Sequence, residues 1–200
     1  MGKLILIRHG ETDKNVGNSL HTVNDSESLN KNGRGQIIKT AQRLKDFTPD
    51  KIYSSKEKRA VESAEIISKE LRLQVETING MEERNWGIFT GKPWEEVKKV
   101  LDPMSLKQRY EYLPPNGESW KTFENRLINA IDKIIKEHKN STITVVTHGG
   151  AIRALMPFLL NTPKEESFKY DPGNASLTIF EFNDQGFQKV SINDTSHLFR

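Results

Sequence analysis

The 200-residue sequence predicts an α/β fold: a three-layer α/β/α sandwich around a mostly parallel, mixed sheet of about six strands. Three observations carry this. Short apolar runs alternate with amphipathic segments of helical period, the pattern of a largely parallel sheet covered on both faces. The two most strand-like runs, Lys3–His9 and Thr142–Thr147, both lead into a histidine followed by glycine. Ser176–Phe182 and Phe187–Ile192 flank Asn183-Asp184-Gln185-Gly186 and read as an antiparallel hairpin. The length suits a single core, so residues 1–200 are expected to form one domain, with an insertion at about 90–118 capping the site.

The elements follow in order. Lys3–His9 is a buried strand of Leu and β-branched residues. Ile37, Ala41, Leu44 and Phe47 step by three or four along a helix that Pro49 closes. Lys51–Tyr53 is a short strand, and Ala60, Ala64, Ile67 and Leu71 mark the next helix. Gln74–Ile78 is a further short strand. Met104–Gly117 is polar, bounded by Pro103 and Pro114-Pro115, and reads as an insertion over one edge of the fold. Trp120, Phe123, Leu127, Ile131 and Ile134 form the clearest amphipathic stripe, with Trp120 and Phe123 in the core. His138 falls on that stripe near the helix end and is expected to partner it. His197 is expected to be structural or exposed.

Composition removes several classes. There is no cysteine, which excludes disulfides and thiolate metal sites and fits a reducing, cytoplasmic setting. The apolar run Leu4–Ile7 is too short for a signal peptide or a membrane span, so no membrane is expected. The net charge of +3 is spread among acids, which suits small anions and makes no case for nucleic acid. A homodimer is compatible with all of this.

In a parallel sheet, ligands bind beyond the carboxyl ends of the strands, which is where His9 and His148 fall. Arg8-His9-Gly10 cannot leave an unpaired guanidinium in an apolar interior. Ser54-Ser55 and Arg59 lie where a strand passes into a helix, a junction whose amides and dipole favour an anion. Two arginines, two histidines and glycine turns at strand ends together describe a phosphate pocket.

Leu6-Ile7-Arg8-His9-Gly10-Glu11-Thr12, with Asn15 after it, resembles the signature of the histidine phosphatase (phosphoglycerate-mutase-like) superfamily. Tyr53–Ala60 is similar to the family's second arginine segment, and Glu83-Arg84-Asn85-Trp86-Gly87 with Gly91 to its acid segment. Asn116–Ser119 resembles the segment before the family's long helix, and Thr147-His148-Gly149 resembles its second histidine. The resemblance implies that His9 attacks phosphorus and becomes phosphohistidine. It implies that Arg8, Arg59 and His148 surround the transferring group, and that Asn15 and the Gly149 amide hold its oxygens. Glu83 is implied as general acid, with Glu82, Glu118 and Glu11 as the other carboxylates at hand. Thr12, His21 and Thr22 are implied at the substrate pocket, where His21-Thr22 replace the family's small residue and glycine.

The chemistry is consistent with those roles. A histidine nucleophile must be neutral, and neighbouring arginines disfavour the imidazolium. Preorganised cations stabilise the charge on the equatorial oxygens. A carboxyl beside a phosphate dianion is pushed to hold a proton until the leaving alkoxide needs it. Neither metal nor cofactor is required. The expected activity is hydrolysis of a small phosphorylated metabolite. The alternatives are a cofactor-dependent phosphoglycerate mutase, and a silent phosphate-binding or partner-binding domain. Gly117 lies only 34 residues beyond Glu83, which argues for an open pocket and so for hydrolysis. A metal site at His9, Glu11 and His148 is a weaker rival, because its spacing fits no helical metal motif.

Overall fold

The computed structural model describes residues 1–21 and 26–199. Thr22 therefore lies outside the described residues. The strands are β1 (Gly2–Arg8), β2 (Lys51–Ser54), β3 (Val75–Thr77), β4 (Thr142–Thr147), β5 (Leu177–Asn183) and β6 (Gly186–Asp194). They form one sheet in the order β3-β2-β4-β1-β5-β6. Four neighbours, β3, β2, β4 and β1, are mutually parallel. β5 runs antiparallel to β1, and the hairpin closes on β6.

The helices are α1 (Asp13–Val16), α2 (Lys31–Leu44), α3 (Lys58–Leu71), α4 (Trp94–Leu101), α5 (Leu106–Glu111), α6 (Trp120–Glu137) and α7 (Gly149–Leu160). Strand alternation explains the three layers. Leu4 and Leu6 of β1, with Ile143 and Val145 of β4, face the apolar stripe of α6 and the body of α7. Ile5 and Ile7, with Ile52 and Val146, face Ile37, Ala41 and Leu44 of α2 and Ala60, Ala64 and Ile67 of α3. The expected α/β/α sandwich around a mixed six-stranded sheet is the observed fold.

Local chemistry sets the helix boundaries. Asn30 caps α2 by accepting from the Gly33 amide at 2.8 Å, and Ser119 caps α6 through the Thr122 amide at 3.0 Å. The hairpin turn is tighter than expected: only Asp184 and Gln185 separate the strands, and Gly186 takes φ +121°. β3 is a short, mostly exposed edge strand of three residues.

Of the helices longer than six residues, α4 and α7 lack the sequence stripe that marks α2, α3 and α6. α7 (GGAIRALMPFLL) is apolar almost all round and packs within the core, so it has no polar face to reveal its period. α4 lies in the 90–118 segment, which is less of a loose insertion than its polarity suggests. Its Val97 and Leu101 join Trp86 and Phe89, just before the segment, in a separate apolar cluster against Leu20 and Trp94. Tyr110 of α5 is buried under α6, and its hydroxyl donates to the buried Glu124 carboxylate. Among the described residues no helix is long and apolar enough to cross a membrane.

Candidate active site

Because β2, β4 and β1 are adjacent and parallel, their carboxyl ends bring three distant segments together. The His9 amide donates to the Thr147 carbonyl at 2.9 Å, and the Ser55 amide to the Val146 carbonyl at 2.9 Å. His9, His148 and Ser55 thus sit side by side at the carboxyl end of the sheet.

His9 is almost fully buried. Its Nδ1 lies 2.8 Å from the Gly10 carbonyl, which can only accept, so Nδ1 carries the proton. Nε2 then holds the lone pair, and the Arg59 Nε–H donates to it at 3.2 Å. Burial, then Arg59 and Arg8, hold the His9 pKa well below the usual imidazole value. The ring is therefore neutral, in one tautomer, with the lone pair of Nε2 turned toward Arg59. Gly10 is fixed in turn by the hydroxyl of Ser63 on α3, which accepts its amide at 3.2 Å.

His148, at the head of α7, is fully buried, with its ring centroid 5.3 Å from that of His9. Burial and then Arg59 also keep its pKa well below the usual value. Its Nε2 lies 2.8 Å from the Ser55 hydroxyl, and its Nδ1 is buried with no hydrogen-bond partner among the described residues. Arg59 has no exposed surface and pairs with the Glu57 carboxylate.

Arg8 reaches along the head of α7. Its Nη1 donates to the Pro172 carbonyl at 2.6 Å, and a Cβ on Gly149 would stand 3.2 Å from its Nε. Asn15 has its Oδ1 held by the Thr12 amide at 3.1 Å and by Asn174 Nδ2 at 3.1 Å. Asn174 also donates to the His9 carbonyl at 3.1 Å, tying the loop before β5 to His9.

The four carboxylates separate cleanly. Glu83 accepts from the Gly150 amide at 2.9 Å, in the first turn of α7 beside His148, and lines the cleft. Glu82 turns away to the Gly80 amide and Arg126. Glu118 is bound by Arg126 at 2.6 Å, and Glu11 by Asn30 and Asn32, each at 3.0 Å.

These groups open into a cleft of about 340 Å³ lined by Arg8, His9, Asn15, His21, Glu83 and Gly149 among others. Arg59, His148 and Thr12 lie behind that lining, fully buried. Thr12 is the N-cap of α1, and its hydroxyl lies 3.1 Å from His21 Nε2. His138 is the C-cap of α6 and bonds the Tyr53 hydroxyl at 2.8 Å. His197 is buried, 3.0 Å from the Thr40 hydroxyl and 3.2 Å from the Ala175 carbonyl, so it is structural.

Sequence reasoning passed over Glu57, Asn174 and Arg153. Arg153 lines the cleft from α7, where it is the lone charge in a twelve-residue apolar helix; that isolation was the available signal. Trp86 and Trp94, 5.6 Å apart in an edge arrangement, also line the cleft.

The model of the histidine phosphatase superfamily (branch 1) matches residues 4–195 of the chain. The chain belongs to that superfamily. As a histidine phosphatase of this branch it is 33% identical to a metal-independent phosphoserine phosphatase from Arabidopsis thaliana, over 98% of this chain and 83% of that one. It is 30% identical to a 2,3-bisphosphoglycerate-dependent phosphoglycerate mutase from Thermoplasma acidophilum, over 88% and 86% of the two chains. A mutant phosphoserine phosphatase from Entamoeba histolytica, solved with phosphoserine, superposes with a TM-score of 0.87 at 30% identity, covering 99% of this chain and all of that one.

Proposed function

We propose that this histidine phosphatase hydrolyses small phosphomonoesters that carry a carboxylate, through a phosphohistidine on His9. The observation that carries the reading is the neutral His9 ring, protonated at Nδ1 by its bond to Gly10, with Nε2 beside Arg59. Nε2 attacks phosphorus while Arg8, Arg59, His148, the Asn15 amide and the Gly149 N–H hold the equatorial oxygens. Glu83, anchored on Gly150, donates its proton to the leaving alkoxide. The same carboxylate then takes a proton from the water that attacks phosphohistidine, releasing phosphate and restoring His9.

A carboxylate on the substrate suits the mouth of the cleft. Arg153 pairs there with Asp171 at 3.1 Å, and the Asp171 side chain is 89% exposed. With its acidic partner so exposed, the pair is weak and exchanges readily for a substrate anion. Phosphoserine, named with the relatives, has that chemistry. The 90–118 segment caps the cleft on this reading, supported by Trp94 in its wall. A cytoplasmic setting is supported by the absence of cysteine.

A phosphoglycerate mutase is the second reading, favoured by the mutase relative. The test is phosphate release from p-nitrophenyl phosphate, phosphoserine and 3-phosphoglycerate, with chelator present. Release that disappears in His9→Ala supports the hydrolase. Conversion of 3- to 2-phosphoglycerate without release, on addition of bisphosphoglycerate, makes the chain a mutase.

A further inference from the structure

The junction between β2 and α3, which the sequence marks as an anion site, already holds an anion of its own. Glu57 is the N-cap residue of α3, yet its side chain makes no capping bond. It is 5% exposed and turns into the site instead. There its carboxylate accepts from Arg59 Nη2, while Oε2 lies 3.4 Å from His148 Nε2. Arg59 is thus shared: Nε serves His9 and Nη2 serves Glu57.

We propose that Glu57 is a positioning residue that holds Arg59 in a neutral pair while the site is empty and takes up a proton when a phosphate dianion arrives. Two anions cannot share one buried guanidinium without strong mutual repulsion. Protonation resolves the conflict: one proton moves from solvent to the Glu57 carboxylate, and the full charge of Arg59 passes to the phosphoryl oxygens. Arg59 stays oriented, because a neutral carboxyl still accepts from Nη2.

The surroundings agree with this. Arg59 on α3 and Arg126 on α6 favour the carboxylate, whereas Glu83 and Glu82 in the loop before α4 oppose it. His9 and His148 are held neutral and supply no compensating charge. Burial dominates and raises the Glu57 pKa to about 7 even in the empty site. Phosphate binding is therefore expected to weaken at alkaline pH for a reason that belongs to this carboxyl. At pH 8.5 the parent protein must first protonate a group with a pKa of about 7, a handicap of roughly 30-fold.

The inference rests on the phosphatase reading, and inorganic phosphate is the probe. Its dissociation constant is measured by calorimetry for the parent and Glu57→Gln at pH 5.5 and 8.5. Comparing two proteins at each pH cancels the titration of phosphate itself. Near-equal affinities at pH 5.5, with Glu57→Gln at least tenfold tighter at pH 8.5, are the expected result. A pH-independent ratio, or weaker binding by the variant throughout, overturns the proposal and leaves Glu57 a mere support for Arg59. Failure of the parent to bind phosphate at pH 5.5 overturns the phosphatase reading as well. If Glu57→Gln does not fold, proton uptake on binding is read in Glu83→Gln, using two buffers of different ionisation enthalpy at pH 8. Uptake approaching one proton supports Glu57, and none overturns it.

Discussion

Replacing Gly33 with alanine sets two opposing effects against each other. Gly33 stands in the first turn of α2, and alanine there favours the helix by at most about 1 kcal/mol. The added Cβ, however, would lie 2.1 Å from the Glu11 carbonyl oxygen and 2.6 Å from the Glu11 nitrogen. Non-bonded heavy atoms settle at roughly 3.5–4.0 Å, so α2 and the Glu11 backbone must part by about 1 Å or more. No rotamer absorbs that, because both partners are main chain. They are also sewn together, by the Asn30 amide on the Glu11 carbonyl and by the Asn30 side chain on the Glu11 carboxylate, each at 3.0 Å. Overpacking of this kind costs about 1–3 kcal/mol, and the rigid surroundings argue for the upper end. The net loss of about 2 kcal/mol corresponds to a Tm lower by roughly 4–8 °C in a chain of this size. Turnover should fall too. The Gly10 carbonyl that orients His9 belongs to the displaced loop, and a misplacement of about 1 Å can cost on the order of 10²-fold. Calorimetry and p-nitrophenyl phosphate turnover on the same preparation make the test. A variant as stable as the parent, or more so, would mean the helix–loop contact is slack and refute the reasoning.

Glu83→Gln should slow phosphoserine hydrolysis on the order of 10²-fold or more while sparing p-nitrophenyl phosphate, whose phenolate leaves unprotonated. Glu82→Gln should behave like the parent on both, and the reverse pattern would transfer the acid role to Glu82. Arg153→Gln should reduce kcat/KM for phosphoserine about 10–100-fold, the worth of a charged hydrogen bond, with no such loss for glycerol phosphate. Equal losses on the two esters would remove Arg153 from carboxylate recognition.

The sandwich was legible because β1, α2, α3 and α6 each show one clean period against polar neighbours. α7 escaped because a helix buried on every side loses its stripe, and α4 because its four-residue apolar face is interrupted by lysines and glutamates. At the site, His9, Arg8 and His148 announced themselves as polar residues ending apolar strands. Glu57 did not: in Ser55-Lys56-Glu57-Lys58 it looks like one more surface charge, and only the turn into α3 points it inward. Asn174 was hidden for a related reason. Its value lies in reaching the His9 carbonyl across 165 positions of sequence, which no local pattern encodes.

The central place of β1 imposes a timetable on the molecule. The strand that leads into His9 is synthesised well before either of its neighbours, yet it zips between β4 and β5, with Lys3 opposite Thr142 and Ile7 opposite Leu177. At about 5–20 residues per second, the newborn strand waits several seconds for its neighbours, a long time for an apolar segment to stay unpaired. The Ala175 amide, which binds the Arg8 carbonyl at 3.0 Å, arrives just ahead of β5. The cleft is therefore completed only once β5 is available, and a nascent chain should be inert toward phosphoesters until that strand has emerged.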